Sequence, residues 1–321
     1  MNKKVILITG SNGEIGKSLI DKLSKNNTII ALDVNHNSKS NIETIKGSIL
    51  DNNILNKINN KYKLSEIYHL AAILSTKAQK NPSFSNEVNY NGTINLLELA
   101  RLQAKKYNHS IKFFFPSSIA IYNILNSDLN NNINEKDNIN NPITEYGKAK
   151  LKCEKIGIEK YLIKGVDFRC IRFPGIISAI SRPTGGTSDY APEMIHAAFL
   201  NEKYNCFVNN KTILPFIAMP DAIDAIIKLM NTSKENIKSK IYNVTSFSPS
   251  VSDLEIKIKE FFPNFKLSYD IDKNRQKIVD SWPNFINDTL AREEWGWSSN
   301  LNFDNFFINY INPNLKEYYK I

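Results

Sequence analysis

Two hydrophobic periods alternate along the first half of the chain. Val5-Ile6-Leu7-Ile8 is an unbroken apolar run, the pattern of a strand covered on both faces of a parallel sheet. From Glu14 to Leu23 the apolar residues Ile15, Leu19, Ile20 and Leu23 fall instead at helical spacing. Thr28-Ile29-Ile30-Ala31-Leu32-Asp33 is again an apolar strand, ending in an acid, so residues 5–33 predict one right-handed β–α–β unit. The alternation continues through a strand at Glu66 to Ala71, a helix at Asn89 to Ala104, a strand at Ile111 to Phe115, a helix at Tyr146 to Lys160 and a strand at Val166 to Ile171. Strands taking turns with helices predict an α/β fold with a doubly wound parallel sheet.

Asn123 to Asn141 has no periodicity and reads as a surface loop. Beyond Arg172-Phe173-Pro174-Gly175 the alternation gives way to mixed helices, short strands and a Gly185-Gly186 turn. The sequence therefore divides into a first domain over 1–175 and a smaller one over 176–321. An amphipathic helix at Pro220 to Met230 belongs to a segment near 213–246 expected to return to the first domain.

Length and composition narrow the classes. The 321 residues are 42% hydrophobic and supply ample chain for a buried core. A net charge of +9 is interleaved with acids throughout and forms no basic block, so a nucleic-acid partner is not expected. Cys153, Cys170 and Cys206 make no CxxC pair and have no metal-like histidine spacing, which predicts reduced thiols, no metal site and a cytoplasmic setting. No apolar stretch approaches the roughly 20 residues that span a bilayer, so no membrane partner is expected.

The chemistry enters at Gly10-Ser11-Asn12-Gly13-Glu14-Ile15-Gly16, set between a strand and a helix. Glycines there permit a tight turn and close backbone approach to a pyrophosphate, and the unpaired N–H groups at a helix start attract its charge. Asp33 lies 17 residues beyond Gly16, where a carboxylate accepts the adenosine ribose hydroxyls and repels a 2′-phosphate, which favours NAD over NADP. Tyr146 and Lys150 stand one helical turn apart and address one ligand, the ammonium favouring the phenolate. Ser118, at a strand end, is placed to donate a hydrogen bond to a substrate oxygen, with Ser117 the second choice. Each of these has a plainer structural reading: a bare turn, a capping aspartate, an exposed helical pair and a capping hydroxyl.

The glycine spacing, His69-Leu70-Ala71-Ala72 and Tyr-x-x-x-Lys together resemble the extended short-chain dehydrogenase/reductase family. That resemblance implies a Rossmann domain bearing a smaller C-terminal substrate domain, with Ile49 and Asp51 near the adenine and Leu70, Ala71 and Ala72 lining the cofactor cleft. It also implies that Lys150 holds the nicotinamide ribose and that Asn89 has a structural role near the site. Ser48 departs from the family, whose members often carry an aspartate there.

Arg172-Phe173-Pro174-Gly175-Ile176-Ile177-Ser178, Gly185 to Ala191, Met219-Pro220-Asp221-Ala222 and Asp280-Ser281-Trp282-Pro283 are similar to the family's short-chain L-threonine 3-dehydrogenase branch. The implied activity is oxidation of L-threonine to 2-amino-3-oxobutyrate with NAD, a step of threonine catabolism towards glycine. Phe173 and Pro174 are then cofactor contacts, Gly186 and Thr187 grip the amino-acid head group, Ser75 is a further polar contact and Trp282 closes the pocket. Trp282 also reads as a core aromatic, and Gly185-Gly186 as a simple turn. Thr184 and Ser188 depart from the residues common in that branch. Its members often pair through the helices beginning near Asn89 and Tyr146, so a homodimer is expected. The competing readings are a nucleotide-sugar 4-epimerase, a sugar dehydratase, disfavoured by Ile119-Ala120 after Ser118, and an inactive NAD-binding redox sensor or scaffold.

Overall fold

The computed structural model describes residues 3–35, 42–124, 132–137, 140–183 and 185–320. The unbroken apolar runs form strands and the runs of helical period form helices: β1 (Val5–Thr9), α1 (Glu14–Leu23), β2 (Thr28–Asp33), β3 (Glu43–Lys46), α2 (Asn52–Lys61), β4 (Glu66–His69), α3 (Ser75–Lys80), α4 (Pro82–Asn86), α5 (Gly92–Tyr107), β5 (Ile111–Ser118), α6 (Glu145–Ile156) and β6 (Val166–Phe173). Then come β7 (Gly175–Ile177), α7 (Tyr190–Phe199), β8 (Lys203–Cys206), β9 (Phe216–Ala218), α8 (Met219–Asn231), β10 (Ile241–Asn243), α9 (Val251–Phe261), β11 (Lys266–Tyr269) and α10 (Lys273–Asp280), with shorter helices to Tyr319. The chain groups into two compact units. One comprises Met1–Ser118, Glu145–Arg172 and Ile226–Tyr242, the other Ile119–Thr144, Phe173–Ala225 and Asn243–Ile321.

A seven-stranded sheet in the order β10-β6-β5-β4-β1-β2-β3 organises the first unit, and the pairs β1–β2, β2–β3, β1–β4 and β4–β5 are all parallel. The α/β, doubly wound prediction holds. The chain winds from β1 out to β3, then returns to β4 on the other side of β1. That reversal opens a crevice at the carboxyl ends of β1 and β4, where α/β sheets bind ligands. Thr9-Gly10 and His69-Leu70 stand at that edge.

Helices cover the sheet because its strands are apolar on both faces. Leu96, Leu97 and Ala100 of α5 join Leu7, Ile67, Phe113, Phe115 and Phe168 in one buried cluster. Phe168 stacks on Phe113 and Phe115, with ring centres 6.1 and 6.0 Å apart. Below Ile156 the helix widens into a π turn, Gly157–Tyr161, where a Cβ on Gly157 would stand 2.4 Å from the Phe168 ring. Arg169, fully buried, pairs with Asp167 at 2.6 Å and donates to the carbonyls of Leu229 and Thr232, satisfying oxygens that the end of α8 leaves open.

The second unit carries two parallel strand pairs, β7–β9 and β8–β11. Buried Asp221 is its polar hub, accepting from the Ser246 and Ser299 hydroxyls and from the backbone N–H groups of Asn300 and Leu301. Of the loop read over Asn123 to Asn141, residues 125–131 and 138–139 lie outside the described residues; the described part forms no helix or strand but is not all at the surface. Ile133 is buried and bridges to Ile286, its N–H bonded to Phe285 and its carbonyl to Asn287. The Ile124 N–H bonds to the Ser281 carbonyl and Glu135 accepts the Asn243 N–H, so the described part of the segment is held at several points.

Candidate active site

The glycine turn is shaped by the strand-end segment beside it. Gly10 has φ +63°, and a Cβ on it would stand 2.6 Å from the Ala71 nitrogen and 2.7 Å from the Leu70 carbonyl carbon. A Cβ on Gly16 would meet the Gly10 oxygen at 2.5 Å. Neither position admits a side chain, so the backbone of Leu70 and Ala71 lies directly on the turn. Gly13 is the N-cap of α1 and offers no side-chain cap, leaving the helix start to an external anion. Asn12 and Ile15 are half-buried there, Gly13 and Glu14 exposed. This cradle of backbone and helix start fits a dinucleotide pyrophosphate.

Asp33 ends β2 beside the turn. Its Oδ2 accepts the Asn12 N–H at 2.9 Å and its Oδ1 the Asn35 N–H at 2.9 Å. The carboxylate thus fixes the turn through two backbone N–H groups. Ile49 is buried in the core, its Cδ1 2.4 Å from where a Cβ on Gly92 would be, and Asp51 caps α2 through the N–H groups of Asn53 and Ile54. Leu70, Ala71 and Ala72 are half-buried along the crevice edge, and Ser75, nearly buried, opens α3.

Tyr146 and Lys150 lie on α6. Lys150 is buried, its Nζ donates to the Pro116 carbonyl at 2.6 Å and stands 4.6 Å from the Phe115 ring centre and 5.5 Å from that of Tyr146. Burial lowers its ammonium to about 8, against smaller opposing effects of Cys153, Cys170 and Glu154. Burial pushes the Tyr146 phenol up to about 12. Desolvation is the leading effect on both groups, and the Pro116 carbonyl holds the Lys150 ammonium.

β5 alternates at its end. Ser117 is buried on the side of Phe113 and Phe115, its Oγ without a hydrogen-bond partner among the described residues, whereas Ser118 is half-exposed on the opposite side. Glu154, two turns beyond Tyr146, pairs with buried Arg172 through two bonds of 2.8 and 3.0 Å, which ties α6 to the end of β6.

In the second unit, Gly185 to Asp189 forms a clamped loop; Thr184 lies outside the described residues. Asp189 Oδ2 accepts the N–H groups of Gly185 at 2.8 Å and Gly186 at 2.5 Å. The Gly186 carbonyl accepts from the Arg275 guanidinium at 2.8 Å and from the Asp189 N–H at 3.2 Å. Both backbone groups of Gly186 are thereby engaged within the loop. Arg275 lies 3.1 Å over the Phe207 ring, and Thr187 is buried. Sequence reasoning missed this clamp; its only local signal is an aspartate three residues after a glycine pair. Trp282 is buried after α10, with its N–H on the Val279 carbonyl, and Phe173 and Pro174 are buried at the start of this unit. Among the described residues no histidine, cysteine and carboxylate cluster could hold a metal, and no helix is long and apolar enough to cross a membrane.

Known proteins match over this whole arrangement. The model of the NAD dependent epimerase/dehydratase family matches residues 6–245. An uncharacterized epimerase/dehydratase of Staphylococcus saprophyticus is 35% identical over 305 residues, covering 92% of each chain. The mitochondrial L-threonine 3-dehydrogenase of Sus scrofa is 31% identical over 317 residues, covering 97% of this chain and 83% of that one. A solved structure of a monomeric L-threonine 3-dehydrogenase from a metagenome superposes with a TM-score of 0.88 at 38% identity, over 98% of this chain and 99% of that one. The chain belongs to the NAD-dependent epimerase/dehydratase family and is an enzyme with NAD as its cofactor.

Proposed function

We propose that this enzyme oxidises the side-chain alcohol of L-threonine to 2-amino-3-oxobutyrate, a step that carries threonine towards glycine. The supporting observation is end-to-end likeness to threonine 3-dehydrogenases, at 31–38% identity, in a chain that holds Tyr146, Lys150 and a strand-end serine pair in one unit. Tyr146 accepts the hydroxyl proton while Ser118 holds the oxygen, with Ser117 the second candidate. NAD, when bound, supplies the acceptor for the hydride leaving the threonine Cβ. Its pyrophosphate is assigned to Gly10, Asn12, Gly13, Glu14, Ile15 and Gly16, its adenosine ribose to Asp33, and its nicotinamide ribose to Lys150. Ile49, Leu70, Ala71, Ala72, Phe173 and Pro174 complete the cofactor contacts.

Thr187 takes the amino-acid head group, with Gly186 holding the loop that presents it, and Ser75 and Trp282 supply the remaining contacts. The 1–175 region is thus read as the NAD-binding domain and the 176–321 region as mainly substrate-binding. We assign the enzyme to the cytoplasm, in keeping with its three buried free thiols, and propose that two copies pair through α5 and α6.

NADH formation with L-threonine, L-allo-threonine, L-serine and UDP-galactose tests the substrate. Turnover is expected with L-threonine foremost; turnover confined to the nucleotide sugar would replace this reading by a nucleotide-sugar 4-epimerase. Asp33→Asn is expected to weaken NADH binding about tenfold, as loss of a charge-assisted hydrogen bond does, and to narrow the preference for NAD over NADP. An unchanged preference in steady-state kinetics would remove Asp33 from the ribose site.

A further inference from the structure

His69 ends β4 and is buried, with Nδ1 3.1 Å from the Thr9 hydroxyl and Nε2 2.8 Å from the Thr93 hydroxyl. The directions of these bonds follow from their neighbours. Thr93 Oγ1 lies 2.6 Å from the Asn89 carbonyl, which can only accept, so the single hydroxyl proton of Thr93 points there. Towards His69, Thr93 must then accept, and Nε2 carries the proton. Burial, reinforced by the charge of Lys150, holds the ring down to about 3, so it is neutral and Nδ1 is a bare acceptor. Thr9 therefore donates to Nδ1, while its oxygen accepts the Ala71 N–H at 3.3 Å.

The chain of bonds closes on itself. Asn89 clamps Ile73 with its side-chain amide, accepting the Ile73 N–H at 2.7 Å and donating to the Ile73 carbonyl at 2.9 Å. Thr9 also accepts the Leu70 N–H on its carbonyl at 3.2 Å. Residues 70–73 are thus pinned at one end by Thr9, which immediately precedes Gly10, and at the other by Asn89, with His69 joining the two anchors through Thr93. The thiol of Cys153, on the helix that carries Tyr146 and Lys150, donates to the same Asn89 carbonyl at 3.3 Å. Reversing the His69 tautomer would leave a bare Nε2 against the Thr93 oxygen, whose proton is committed to the Asn89 carbonyl, so two acceptors would face each other.

We infer that His69 is a positioning residue for the cofactor: held as the neutral Nε2–H tautomer between Thr9 and Thr93, it fixes the segment from Leu70 to Ile73 against the glycine turn. The close approach of Ala71 to Gly10 makes the turn's shape depend on that segment. A role in stability alone would leave NADH affinity untouched at temperatures far below unfolding.

Thr9→Val and Thr93→Val each remove one hydroxyl at nearly constant shape, and Thr93→Ser keeps it. Each valine variant is expected to raise the Kd for NADH about tenfold, read by NADH fluorescence well below the unfolding temperature, and Thr93→Ser to stay within about twofold of the parent. The ¹⁵N shifts of His69 in the unaltered protein are expected to be those of an Nε2–H ring at neutral pH. An Nδ1–H ring, or valine variants that lose thermal stability yet bind NADH as the parent does, would overturn the inference. An Nδ1–H ring overturns the inference even where a valine variant fails to fold.

Discussion

Tyr146→Phe is expected to lower kcat with L-threonine about 10³-fold while leaving the Kd for NADH within about twofold. The ring remains, so packing on α6 and the 5.5 Å approach of Lys150 to its face are kept, and only the hydroxyl proposed to take the substrate proton is lost. The pH profile carries a second, independent expectation. With Tyr146 as the proposed base the active form is the phenolate, and burial pushes the phenol up to about 12, so the deprotonated fraction and with it kcat/KM should climb as pH rises through the neutral range. In the proposed mechanism a bound cofactor and the Lys150 charge lower the apparent value without changing the sign of the slope. In the phenylalanine variant that rising limb should be gone. Near-normal turnover, or an unchanged limb, would show that another group removes the proton.

The parts of the molecule that could be read from sequence are those whose physics is local. Continuous apolar strands such as Val5–Thr9 announce burial on both faces, and Tyr146 and Lys150 share a helix face by spacing alone. β3 was missed because Glu43-Thr44-Ile45-Lys46 has one apolar residue and half-exposed positions, so its strand state comes from pairing with β2 rather than from its own pattern. α2 was missed because Ile54, Leu55 and Ile58 are embedded among asparagines and lysines that elsewhere carry no structural signal.

Within the site, the choice between Ser117 and Ser118 is a question of which face each takes at the end of β5, and a one-residue register decides it. The Gly186 clamp joins residues 89 apart, and Asp221 meets partners 78 to 80 residues further on. No window of sequence contains such contacts. The Pro116 carbonyl that holds the Lys150 ammonium lies 34 residues away on β5 and was likewise outside any local window.

Lys150→Met should make the protein both less active and more stable at neutral pH. Methionine keeps the apolar stem over Phe115 and removes the charge that the proposed mechanism assigns to the nicotinamide ribose and the phenolate, for which a loss of about 100-fold in kcat/KM is expected. The stability gain follows from proton balance. Lysine ordinarily titrates near 10.5, and burial holds Lys150 at about 8, so between those values the folded protein binds fewer protons than the unfolded chain. Stability of the parent therefore rises with pH across that window. Below about 8 the ammonium is charged in both states and folding bears a net cost of roughly 3 kcal/mol from the size of the shift. Above about 10.5 the lysine is neutral in both states and the cost vanishes. The methionine variant should accordingly unfold at higher urea than the parent at pH 7, and its advantage should shrink as pH rises towards 10.5. An advantage that does not change with pH, or a variant less stable at pH 7, would show that the Pro116 bond more than compensates burial. A buried ammonium that weakens the fold at neutral pH has its explanation in the chemistry of α6 rather than in the packing around it.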